Sequence, residues 1–193
     1  MYLPVQETSY IFPSGKTKYV CQDFIHRVFT MPRSRTLKKL MSRELPPLKY
    51  QRKAGYRTTL KEVKALYRLI NASLFNNRLV MPSIKIKPKM HGAWADCQGD
   101  HLPFRKTKSR CEITLSRYWF CKQWLIITLA HEMAHQYQWD IISHRRHKKR
   151  KDSIMSHGPT FFRWRKKFER HGVPLKQWHN TEDWFKTQHV FKC

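Results

Sequence analysis

Residues 122–140 read Lys-Gln-Trp-Leu-Ile-Ile-Thr-Leu-Ala-His-Glu-Met-Ala-His-Gln-Tyr-Gln-Trp-Asp, without a Gly or a Pro and with apolar side chains on every side of a helical wheel. A helix of that composition must be buried on several sides, so the rest of the chain has to wrap around it. Inside it lie His131, Glu132 and His135. Side chains four residues apart project from the same side of a helix, so the two histidines can grip one ion, with the Glu132 carboxylate facing the same space. Surface histidines, or core histidines satisfied by hydrogen bonds, would not need such dense apolar flanks.

The spacing His131-Glu132-Met133-Ala134-His135 is the HExxH arrangement, in which neutral imidazoles hold Zn²⁺. The carboxylate then acts as general base toward a water whose pKa the ion lowers to about 7. It predicts a zinc hydrolase. A catalytic zinc site usually has three protein ligands and one open position, so a third ligand is required. The metzincin continuation needs Gly at 138 and His at 141; Gln138 and Ile141 exclude it. Glu169 is available downstream, in highly charged surroundings that favour a solvated side chain. His144 and His147 lie inside Ser-His-Arg-Arg-His-Lys-Lys-Arg-Lys, where neighbouring cations oppose metal binding. The better candidate is His157, followed by Gly158 and Pro159 at a helix start, with residues 161–170 helical as far as Gly172.

Together these segments resemble the SprT-like zinc metallopeptidases, the family of the bacterial SprT proteins and of the DNA-dependent protease Spartan. Thr128–His135 is similar to the family's active-site helix, and His157-Gly158-Pro159-Thr160-Phe161 to its third-ligand motif. Upstream, Leu66–Asn71 with Phe75–Leu79 resembles the entry of the domain, and Cys111–Ser116 the strand before the active-site helix. The resemblance spans about residues 58–172. It implies one catalytic Zn²⁺ on His131, His135 and His157, with Glu132 as general base. It also implies substrates that are proteins bound or crosslinked to DNA. Two departures stand out. The chain has no CxxC pair, whereas family members often carry a cysteine-rich zinc ribbon, and residues 141–156 look like a basic insertion between the second and third ligands.

The predicted layout is a basic extension over 1–57, broken by prolines and with a helix near Thr36–Glu44, then a catalytic domain over 58–172. A tail over 173–193, bearing Trp178 and Trp184, docks on that domain. Thr59-Leu60-Lys61-Glu62 is a capping box, and Val63, Leu66, Tyr67, Ile70 and Leu74 recur at helical spacing, predicting a helix over about 60–75. Ile84 and Ile86 alternate with Lys85 and Lys87 as in a half-buried strand, with further strands near 93–97 and 111–115 and a polar connection over 100–109. The fold class expected is α+β: a zincin-like domain in which a small antiparallel sheet packs on the HExxH helix. Its edge strand would be able to pair with an extended substrate. A length of 193 residues with 40% hydrophobic content suits one core. The five cysteines are irregularly spaced, and Cys97 and Cys111, though able to face each other across strands, read as ordinary buried thiols. The N-terminus lacks a signal sequence, and no apolar run is long enough to cross a bilayer. An intracellular protein is expected, in cytoplasm, nucleoid or nucleus according to the cell.

Charge is the second strong signal. Lys plus Arg number 39 against 13 Asp plus Glu, a formal +26. Hydrolysis does not require that, and the self-repulsion opposes folding, so a polyanion is the natural partner: nucleic acid, in particular DNA. The leading cluster is Arg145, Arg146, Lys148, Lys149, Arg150 and Lys151; Arg163, Arg165, Lys166 and Lys167 follow, with Trp164 among them as a candidate platform for unpaired bases. Trp124 and Trp139, flanking the active-site helix, are expected to pack. The expected function is a zinc metalloendopeptidase acting on DNA-associated or DNA-crosslinked proteins. The alternatives are a non-catalytic nucleic-acid-binding protein with a structural zinc site, and a zinc hydrolase with another anionic target, such as a cell-wall peptide or an RNA-bound protein.

Overall fold

The computed structural model describes residues 33–43 (backbone alone for 33–36), 54–88, 90, 92–99, 107–143 and 157–177. The chain divides into two units, Met1–Pro32 and Arg33–Cys193, and every described residue belongs to the second. The element order is α1 (Arg33–Met41), β1 (Tyr56–Arg57), α2 (Leu60–Leu74), β2 (Ser83–Lys87), β3 (Ala95–Gly99), β4 (Cys111–Ser116) and β5 (Tyr118–Trp119). Then come α3 (Lys122–Tyr137), a π-helical segment (Gln138–Ile142), α4 (Pro159–Phe162) and α5 (Arg165–Arg170). The class is α+β.

Helix α2 starts where the capping box predicts: Thr59 is extended, and its hydroxyl accepts from the Glu62 backbone N–H at 3.2 Å. Val63, Leu66, Tyr67, Ile70 and Leu74 are all buried. The helix stops because Asn76 and Asn77 turn left-handed, at φ 56° and 57°, a conformation that asparagine tolerates better than most residues. Asn71 holds the turn, donating from Nδ2 to the Leu79 carbonyl at 2.8 Å and accepting from the Leu79 N–H at 3.2 Å.

Strand order in the main sheet is β2-β4-β3. The sheet is mixed, which corrects the antiparallel one expected: β3 runs antiparallel to β4, pairing Cys97 with Ile113, but β2 runs parallel to it, pairing Ile84 with Ile113. Alternation in β2 tells which side chains face inward, and it does so correctly. It carries no information about the direction of the partner strand, which depends on β4 lying between its two sequence predecessors. β4 is buried along most of its length, as a central strand must be.

The core extends beyond residues 58–172 at both ends. Leu37 and Met41 of α1 and Val173 and Leu175 after α5 belong to one apolar cluster with α2, β4 and α3. Tyr56 and Arg57 pair with Trp119 and Tyr118, and the Thr58 N–H donates to the Arg117 carbonyl at 3.0 Å. Each fully buried large apolar side chain contributes roughly 1.5–3 kcal/mol, so α1 is an integral part of this core and its helix falls at 33–41, slightly before the 36–44 expected. Helix α3 is buried on nearly all sides, capped by the Cys121 thiol and packed on α2, β3 and β4. Trp124 and Trp139 are buried, as expected.

Cys97, Cys111 and Cys121 are free thiols; Cys97 and Cys111 lie diagonally across the β3–β4 pair. The single helix expected over 161–170 is two short helices separated by a turn at Arg163–Trp164. Phe161, Trp164 and Phe168 still pack inward at helical spacing, so the periodicity survives although the backbone ladder is interrupted. Among the described residues, no helix is long and apolar enough to cross a membrane. Residues 44–53, most of 100–109, the basic run at 145–151 with His144 and His147, and Trp178 and Trp184 lie outside the described residues.

Candidate metal centre

Three imidazoles converge. His131 and His135 stand one turn apart on α3, and His157 reaches them from the residue before Gly158, which starts α4. The His157 Nε2 atom lies 3.1 Å from His131 Nε2 and 3.2 Å from His135 Nε2, and ligand atoms of all three lie within 4.8 Å of one another. Nitrogens that bind one ion at about 2.0–2.1 Å in tetrahedral geometry stand about 3.3 Å apart, so the spacing fits three ligands on one face of a metal. Three histidine nitrogens are thus close enough to hold a metal ion. Glu169, the carboxylate alternative for the third position, is exposed on α5.

Phe161, fully buried one turn after Gly158, holds the rings in place. Its centroid lies 4.9 Å from that of His131, 4.6 Å from His135 and 4.8 Å from His157. Gln138 holds them laterally. Its Oε1 lies 3.0 Å from His135 Nδ1, and its Nε2 donates to the Thr160 hydroxyl at 2.9 Å. With Oε1 as acceptor, His135 carries its proton on Nδ1 and presents the Nε2 lone pair inward, the orienting arrangement common around metal-ligating histidines. One side chain thereby links the helix that carries His131 and His135 to the short helix that follows His157. Gln138 begins the π-helical segment, a widened turn of a kind often found at functional sites.

Burial sets the electrostatics. The His135 ring is lowered to about 4 by burial, opposed by its bond to Gln138, and His157 is lowered by burial. Both are neutral at pH 7, the form that binds a metal. Burial pushes the Glu132 carboxyl up to about 8, with a further contribution from Asp96 on β3. A carboxyl with a pKa near neutrality can both take and return a proton.

Behind the centre, a buried polar network fixes α3. Gln136, fully buried, donates from Nε2 to the Val80 carbonyl at 2.7 Å and to Asp140 Oδ2 at 2.9 Å. Asp140 also accepts from the Ser109 hydroxyl at 2.7 Å and the Arg110 N–H at 3.0 Å. The Tyr67 hydroxyl lies 2.9 Å from Gln136 Oε1, which ties α2 to the network.

The sequence reading missed Gln138, Asp96 and the role of Phe161. Gln138 carried a signal, since it follows His135 by three residues and so shares its helix face. Asp96 carried none, because its nearness to Glu132 depends on how β3 lies along α3. Of the basic residues read as nucleic-acid contacts, Arg163, Arg165 and Lys166 are exposed and Lys167 is half-buried. Trp164 is half-buried, its ring edge-on to Phe75 at 5.0 Å and to Tyr137 at 4.8 Å, an anchor more than a free stacking platform. No protein-family model and no curated protein matches this chain.

Proposed function

We propose that the chain is a zinc-dependent endopeptidase of SprT-like, zincin-type architecture that acts on proteins associated with or crosslinked to DNA. The observation that carries this reading is the convergence of His131, His135 and His157 on one point, with Glu132 in the helical turn between the first two. Three imidazoles at tetrahedral spacing suit Zn²⁺, and a set of three protein ligands is typical of a catalytic zinc site. When bound, Zn²⁺ supplies Lewis acidity, which polarises the scissile carbonyl and acidifies water.

The rest is work for side chains. Glu132 accepts a proton from the attacking water and delivers it to the leaving amine, a double task suited to a carboxyl raised toward neutrality. Gln138 and Thr160 keep His135 and the His157 loop in register, and Phe161 keeps the imidazoles from rotating away. β3 is an edge strand lying along α3, so an extended peptide can add to it through backbone hydrogen bonds, with weak sequence preference. Specificity would then come from location. A formal charge of +26 supports nucleic acid as the scaffold that brings enzyme and substrate together.

The test is proteolysis of a DNA-binding protein by zinc-loaded wild type and Glu132→Gln, with and without single-stranded DNA. Expected is DNA-stimulated cleavage that disappears in the variant. Equal DNA binding with no cleavage by either protein would refute the peptidase and leave a nucleic-acid-binding protein with a structural metal.

A further inference from the structure

One surface feature of the described residues gathers cations without gathering anions. Tyr137, two residues past the ligand His135, is almost fully buried, yet two exposed arginines lie over its ring. The Arg78 guanidinium carbon is 5.3 Å from its centroid and that of Arg163 is 5.7 Å. Arg78 comes from the turn after α2 and Arg163 from the turn between α4 and α5, so two distant stretches of chain deliver like charges to one ring. Arg163 also lies 5.5 Å from the centroid of Trp164, and Lys167 6.0 Å from it. The Lys167 ammonium donates to Asn76 Oδ1 at 2.7 Å, which joins α5 to the same turn that carries Arg78.

Among the described residues, no ion pair neutralises this group. The two that form there, Lys85–Glu112 and Lys122–Glu62, both lie elsewhere. The carboxylate of this segment, Glu169, takes part in neither. Arg165 lies over the Phe162 ring at 4.2 Å and extends the positive surface along α4 and α5. The guanidiniums lie within cation–π range of the rings and are exposed, and a guanidinium so placed can offer its N–H groups to phosphate oxygens.

We propose that Arg78 and Arg163, seated on Tyr137 and flanked by Lys167, form a phosphate-binding shelf that takes the sugar–phosphate backbone of a nucleic acid. The shelf reads no sequence, since phosphate contacts position a backbone and do not distinguish bases. It rests on the function proposed above only in the choice of nucleic acid as ligand. Tyr137 belongs to the helix that carries His131 and His135, so a backbone bound at the shelf is held by the same rigid element.

The test is binding of full-length, zinc-loaded protein to fluorescent single-stranded and duplex DNA over a salt titration. The proteins compared are wild type, Arg78→Gln/Arg163→Gln and a charge-matched control, Lys61→Gln/Lys85→Gln. Removing one cation that neutralises a phosphate lowers the slope of log affinity against log salt by about 1. The arginine variant is therefore expected to reduce that slope by about two units and the affinity at low salt by about 10- to 100-fold, whereas the control changes little. Each single arginine variant shows about half of that slope change, so the test stands even if the double variant does not fold. Equal weakening in both double variants would overturn the shelf in favour of diffuse attraction. Arginine-dependent binding to phosphatidylserine vesicles without such dependence for DNA would overturn the choice of ligand. None of these readouts requires cleavage, so a shelf without peptidase activity and a peptidase without the shelf are distinguishable outcomes.

Discussion

Replacing Gln138 with Leu removes two hydrogen bonds, at 3.0 Å to His135 and 2.9 Å to Thr160, while leaving a side chain of similar volume in a fully buried position. Two costs follow. The His135 Nδ1 proton loses its Gln138 acceptor, at roughly 1–3 kcal/mol for a buried group left unsatisfied, and the tie to the Thr160 hydroxyl is lost. In addition, the ring is no longer held in the tautomer that points Nε2 at the other two histidines. Removal of such an orienting partner typically lowers metal affinity 10- to 100-fold, equivalent to about 1.4–2.7 kcal/mol. The assay is Zn²⁺ competition against a chromogenic chelator at pH 7.5, with thermal denaturation of the metal-free protein measured alongside. Gln138→Leu should bind zinc 10- to 100-fold more weakly than wild type. Gln138→Glu, which keeps an acceptor for His135 but gives up the amide donor to Thr160, should recover most of the difference. Wild-type affinity in Gln138→Leu would refute the orienting role, as would equal weakening in the two variants.

Two further predictions concern the same region. Glu132 has a folded pKa raised to about 8 from an ordinary 4.5, so the folded metal-free protein holds a proton that the unfolded chain gives up more readily; stability is fully present below about pH 4.5 and is lost as pH rises through 8, by an amount on the order of a few kcal/mol. Thermal melts of chelator-treated protein should therefore fall between pH 6 and 9 in wild type and stay flatter in Glu132→Gln; parallel curves would rule this out. At Gly99, on β3, an added methyl would occupy the space of the Trp139 indole, so Gly99→Ala should destabilise by about 1–3 kcal/mol through overpacking, and an unchanged melting temperature would contradict that packing.

Local patterns were legible wherever one stretch of chain carries its own physical reason. The capping box at Thr59 set the start of α2, and the alternation of Ile84 with Lys85 set the faces of β2. The apolar flanks of residues 122–140 required a buried helix, and the i, i+4 spacing put His131 and His135 on one side of it. His157 was singled out by its local sequence, a glycine and a helix-starting proline, but neither feature says where that helix start lies. Only the tertiary packing brings its Nε2 to 3.1 and 3.2 Å from the other two. The same holds for the parallel pairing of β2 with β4, for Leu37 and Val173 closing one core from opposite ends of the unit, and for Arg78 meeting Arg163 over Tyr137. Periodicity records which face of an element is buried. What that face is buried against depends on contacts between residues far apart in the chain, which no local pattern encodes.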